Sequence, residues 1–144
     1  MNKTSNEELF KEIDLIQSCI ERMARNSFYV KGWALTIFTG STIFLKGENL
    51  TSSPLMLLST IIPFVSFWLL DSFYLYTERQ YRKLYDKVIT ERQKGDMSNL
   101  FSLNIGQFEF SNWIKTLFSL TLICFYLIPL LATICIIIHN IILY

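Results

Sequence analysis

Beyond Lys115, as far as Tyr144, the chain carries no formally charged side chain unless His139 takes a proton. Within that stretch, Leu117 to about Ile138 is almost continuously apolar. Roughly 20 such residues are what an α-helix needs to cross about 30 Å of hydrocarbon. A segment this greasy needs an apolar solvent. In a chain of 144 residues with 51% hydrophobic content, a protein interior cannot supply it, because small domains leave much of their surface exposed. Lipid can. The expected fold class is therefore all-α, an integral membrane protein.

Two further apolar segments point the same way. Pro54 to about Leu70 or Tyr76 is free of charge as far as Leu70. It opens on Ser53-Pro54, a hydroxyl cap followed by a residue whose missing N–H costs nothing at the first helical position. Phe28 to Leu45 is shorter: its uncharged part begins at Gly32 and runs for about 14 residues, so Lys31 must snorkel to the headgroups. Three membrane-spanning helices result, with two spans and an interfacial third segment as the competing arrangement. Every lysine and arginine except Lys46 lies before the first span or between the second and third. By the positive-inside rule the N-terminus is cytoplasmic and Tyr144 lies outside. No apolar stretch near Met1 suggests a secretory signal.

The polar segments are helical too. Leu9, Ile13, Ile16, Ile20 and Met23 alternate at spacings of four and three, after Ser5-Asn6-Glu7-Glu8, which has the form of a capping box. Glu12, Asp14, Glu21 and Arg22 fall off that seam. Tyr74, Tyr81, Leu84 and Val88 continue the second span in the same rhythm, and Glu78–Arg82, Arg82–Asp86 and Lys87–Glu91 are oppositely charged pairs four apart. Two of the spans thus extend into a cytoplasmic helical stalk, paired within a subunit or between subunits. A surface-lying anchor is the alternative for the first helix. The second is expected to fray at Gly95-Asp96, and Met97–Trp113 to lie at the interface with Phe101, Phe108, Phe110 and Trp113 toward acyl chains. The organisation is a cytoplasmic amphipathic helix (1–27), a transmembrane hairpin (28–77), a cytoplasmic helix and linker (78–116) and a third span (117–144).

Candidate site residues are few. Gly32, Thr36 and Gly40 form a small-residue seam suited to packing against another span, or to lining a pore with Thr39, Ser41 and Thr42 after oligomerisation. At 1.5 Å per residue, Lys31 lies about 21 Å below Leu45 and Asp71 about 25 Å below Pro54. The matching depths predict an interfacial ion pair between Lys31 and Asp71, with Arg79 as a substitute cation. The alternative is that both groups simply sit in headgroup water. Pro63 and Pro129 are expected to kink their helices. His139-Asn140 could respond to protons, and Asn49-Leu50-Thr51 fits a glycosylation sequon.

Catalysis has little to draw on. There is one histidine, the five glycines are scattered, and the cysteines (Cys19, Cys124, Cys135) lack metal-ligand spacing. No cofactor, no metal site and no direct nucleic-acid binding is expected, and the chain is read as not an enzyme.

At Ile16-Gln17, Ile20, Arg22-Met23, Asn26-Ser27-Phe28 and Lys31-Gly32-Trp33, and again from Leu70-Asp71-Ser72-Phe73-Tyr74-Leu75 through Glu78-Arg79-Gln80-Tyr81-Arg82-Lys83-Leu84-Tyr85, the chain resembles small bacterial membrane effectors of anti-phage systems. These include two-transmembrane effectors encoded beside retrons and SLATT-type effectors linked to nucleotide signalling. The resemblance covers about Leu9 to Arg92, and the third span is additional to the two-span pattern. It implies a toxin of the inner membrane, held silent by a reverse transcriptase with its RNA–DNA or by a nucleotide-signalling partner. On infection it would oligomerise and disrupt the membrane, an abortive-infection form of antiviral defense. A non-toxic accessory subunit or a small channel of a larger membrane complex is the alternative.

Overall fold

The computed structural model describes residues 3–47, 54–96, 98 and 100–143, with side chains for 6–43, 61–96, 98, 100–135 and 138. It is all-α, with no strand among the described residues. Helix α1 (Lys3–Gly47) and helix α2 (Pro54–Gln93) are long and antiparallel, each about 60 Å or more at 1.5 Å per residue. A short helix α3 (Phe110–Leu117) follows an irregular segment. After it come α4 (Leu120–Leu122), a π-helical turn (Ile123–Leu127) and α5 (Ile128–Leu143).

The α1 seam does not stop where the polar residues give way to apolar ones. Ile16, Cys19, Ser27, Val30 and Ala34 are buried at spacings of three, four and eight, so one stripe faces α2 from end to end. At the polar end Ile16 packs with Leu84 and Val88, flanked by Ile20, Tyr81, Tyr85 and Ile105. The stalk seam therefore pairs within one chain. At the apolar end Ala34 and Phe64 pack with Leu122 and Tyr126 from the third segment.

Several expectations need correction. Helix α1 begins at Lys3, so Ser5 lies inside its first turn instead of capping it. The third segment is not one helix from Leu117: the chain breaks at Phe118 and Ser119, where Ser119 turns extended, and Leu117 closes α3. The restart uses the Ser119 carbonyl, which accepts the N–H groups of Leu122 and Ile123. The break bends Phe110–Leu117 against Leu120–Cys135 by 45°. Trp68 donates its indole N–H to the Leu117 carbonyl at 3.2 Å, which occupies an acceptor freed by the break. Pro129 is accompanied by the wide turn just before it. Its ring crowds the Phe125 carbonyl and it offers that carbonyl no N–H, so the helix there loosens to π geometry. Helix α2 runs through Pro63 as one element.

Helix α2 ends where Gly95 takes φ +78°. The Asp96 N–H reaches back to the Glu91 carbonyl at 3.1 Å and the Gly95 N–H to the Arg92 carbonyl at 3.0 Å, the paired bonds of a Schellman stop. Nothing crowds a Cβ at Gly95, so only the backbone angle resists substitution. Gly95→Ala is expected to cost about 1 kcal/mol, measured as a shift in the thermal unfolding of the detergent-solubilised protein.

Candidate functional site

In the half of the hairpin nearer residues 48–53, many large apolar side chains face outward while a few polar ones are enclosed beside the apolar core. Phe28 (73% exposed), Trp33 (63%), Leu35, Ile37 and Ile43 point outward from α1, as do Ile62, Leu69, Leu70 and Phe73 from α2 and Leu120 (76%), Ile128, Leu131 and Ile138 from the third segment. Inside the same layer lie Ser27, Asp71 and Ser72. Water does not favour so many large apolar side chains facing outward around an enclosed carboxylate.

The buried polar groups form one cluster across the three segments. Asp71, on α2, is fully enclosed. Lys31 Nζ stands 2.9 Å from its Oδ1 and 2.7 Å from its Oδ2, so the two residues paired by depth in the sequence are brought together. Ser27 donates its hydroxyl to Oδ1 at 2.5 Å and accepts from Lys31 at 2.7 Å. Ser27 and Lys31 lie one turn apart on α1, which aims both at the same oxygen. Lys31 remains 26% exposed, whereas Asp71 is not. The third segment adds Tyr126, which is fully buried and whose hydroxyl sits beside Asp71. Its ring stacks on Trp68 with centroids 6.2 Å apart and an interplanar angle of 11°, and contacts Phe64 at 5.3 Å.

Arg79 does not serve as the substitute cation. It donates to the Thr116 hydroxyl at 3.3 Å and so ties α2 to α3, its position two turns below Asp71 placing it beyond the cluster. Gly32, Thr36 and Gly40 are all exposed, and a Cβ at either glycine would meet nothing. The expected packing of this seam against the second or third span is therefore not made. Ala34 faces the core instead, and Gly32 and Thr36 stand roughly half a turn away from it on the helix. Thr39 is exposed with them, while Ser41 and Thr42 are partly covered.

A second polar site, at the far end of the hairpin, comes from residues placed outside the seam by sequence. Glu12 and Arg92, 80 residues apart, make a two-pronged pair at 2.8 and 2.9 Å with both side chains buried. The pair holds the Arg92 guanidinium in its charged form, chiefly through the hydrogen bonds to Glu12. Arg92 also donates to the Asp96 carbonyl. The Phe101 N–H donates to Glu12 Oε1 at 2.9 Å, with Phe101 at φ +58°, a left-handed conformation costly for a residue with a side chain. The carboxylate thus gathers α1, α2 and the segment after α2 at one point. Asp96, which accepts from the Ser98 N–H at 2.9 Å, titrates below the usual carboxylate range for that reason first.

Of the expected interfacial aromatic residues, Phe101, Phe108 and Phe110 are exposed and Trp113 is half-covered. Phe108 lies 5.2 Å from the Tyr76 ring, and the Tyr76 hydroxyl accepts the Glu109 N–H at 3.0 Å. The side chains of His139 and Asn140 and the Asn49-Leu50-Thr51 sequon lie outside the described residues. Among the described residues no single helix is both long and apolar enough to cross a membrane, and the bent pair Phe110–Leu117 with Leu120–Cys135 meets that test. Among them no cluster of metal-ligating side chains occurs either. Compared with known protein families, with curated proteins and with solved structures, the chain matches none.

Proposed function

We propose that the chain is a membrane effector toxin of a bacterial anti-phage system, with three spans, a cytoplasmic stalk and a C-terminus outside, and without catalytic activity. The observation that carries the membrane part is the inverted layer: outward Phe28, Trp33, Ile43, Ile62 and Leu120 around an enclosed Asp71. Ionisable groups within spans face the interior and pair with one another, because lipid solvates neither charge nor hydrogen bond. The toxin part is supported by the resemblance of Leu9 to Arg92 to anti-phage membrane effectors. An inhibitor, a reverse transcriptase with its RNA–DNA or a nucleotide-signalling protein, would grip the stalk and prevent oligomers from forming. The outward Gly32, Thr36 and Gly40 seam is free for a second copy of the chain, as close helix approach in lipid requires small side chains.

Induced expression in a bacterium loaded with a potential-sensitive dye tests the reading. The expected result is depolarisation and growth arrest. Harmless accumulation in the membrane would favour an accessory subunit instead.

A further inference from the structure

Two buried polar atoms of this cluster are incompletely satisfied. Among the described residues neither Asp71 Oδ2 nor the Tyr126 hydroxyl makes a directed hydrogen bond, although Lys31 Nζ lies 2.7 Å from that oxygen. A buried hydroxyl without a partner costs about 1–3 kcal/mol, and a carboxylate has more acceptor positions than Ser27 and Lys31 fill. The Tyr126 hydroxyl is the donor at hand, and turning it toward Oδ2 satisfies both atoms. It comes from the third segment, whereas every other partner of Asp71 belongs to the hairpin.

We infer that Tyr126 and the ion-paired Asp71 form a latch that holds the third segment against the hairpin, and that opening this latch frees the segment while the hairpin stays folded. Three observations support the asymmetry. The hairpin is fastened independently, by Glu12–Arg92, by Ile16 with Leu84 and Val88, and by Ser27 and Lys31 on Asp71. The third segment is seated through one side only, Leu122, Phe125, Tyr126 and Leu130, while Leu120, Ile128 and Leu131 of the same segment face outward. Finally, it begins at one interruption, the break at Phe118 and Ser119, and contains a second, the π turn that carries Tyr126 itself. In lipid, apolar contacts between segments gain little over contacts with acyl chains, so a hydrogen bond to a carboxylate weighs heavily in holding the segment in place.

The consequence for killing rests on the effector reading above; the latch itself does not. Hydrogen exchange on the full chain in lipid nanodiscs tests it. Tyr126→Phe keeps the ring and removes the hydroxyl, and is expected to speed exchange across residues 120–130 about tenfold, the size of one hydrogen bond to a charged group. The amides around Ile16, Leu84 and Val88 should keep their wild-type rates. Unchanged rates across 120–130 in Tyr126→Phe would overturn the latch. So would equal acceleration in the stalk, which would mean general loosening. Depolarisation of induced cells is scored separately: faster exchange with intact potential leaves the latch standing and sinks the toxin reading.

Discussion

Replacing Arg92 with alanine is expected to lower stability by roughly 3–5 kcal/mol, because it strands the Glu12 carboxylate in a buried site. The loss has three parts. Both prongs of the ion pair go, the Asp96 carbonyl loses its donor, and the chain after α2 remains tied to an unneutralised charge through the Phe101 N–H. Thermal unfolding in detergent, followed by helical circular dichroism, measures the effect. The matched apolar replacement, Glu12→Leu with Arg92→Met, is expected to recover most of it, since removing both charges also removes the cost of burying them. It should not recover all. The Phe101 N–H, held in a left-handed backbone conformation by that carboxylate, would have lost its acceptor. A drop of under 1 kcal/mol for Arg92→Ala would show that the site is wetter than its burial implies.

The second large effect is expected at the other end of the hairpin. Lys31→Glu places a carboxylate against the fully enclosed Asp71, and the variant is expected to fall from the folded fraction by at least 3–5 kcal/mol. Asp71→Lys should do comparable damage by facing Lys31 with a second ammonium. Combined, the two substitutions restore opposite signs across the same gap, and the folded yield in membranes should rise well above either single variant. Yield no better than the worse single would mean that the fixed orientation of Ser27, rather than the charges, decides the geometry.

How far these features could be read from sequence depends on what kind of signal each leaves. The Lys31–Asp71 contact follows from counting rise per residue along two helices that share one connecting loop, because depth in a straight antiparallel pair is a one-dimensional quantity. Glu12–Arg92 was passed over for a reason that is instructive: the seam was traced through apolar residues only. Glu12 stands three after Leu9 and four before Ile16, and Arg92 stands four after Val88, so both continue their stripes. Opposite charges at equivalent points of two antiparallel seams were the available signal.

Gly32, Thr36 and Gly40 failed differently. Helix α1 offers a small-residue stripe and, on the other side, the stripe through Val30 and Ala34. Periodicity alone does not say which one meets α2, whereas the bulky Phe64 and Tyr126 choose the second by filling the space around Ala34. Tyr126 left no trace at all. Its position depends on the break at Ser119 and the extra backbone of the π turn, and both shift the angle at which a side chain leaves the helix by amounts that a regular 3.6-residue count does not contain. The all-helical architecture, by contrast, was legible in the four–three repeats of the polar segments and in the length of the apolar ones.

Helix α1 contains no proline and runs as a single rod from Lys3 to Gly47. Torque applied at one tip therefore meets no joint that would absorb it before Lys31 and Ala34. A protein that clasps the far end beyond Glu12 would be acting on a crankshaft: roll imposed there is carried along the rod toward Lys31 and Ala34. Control of this molecule from a distance needs no relay of side chains, only leverage.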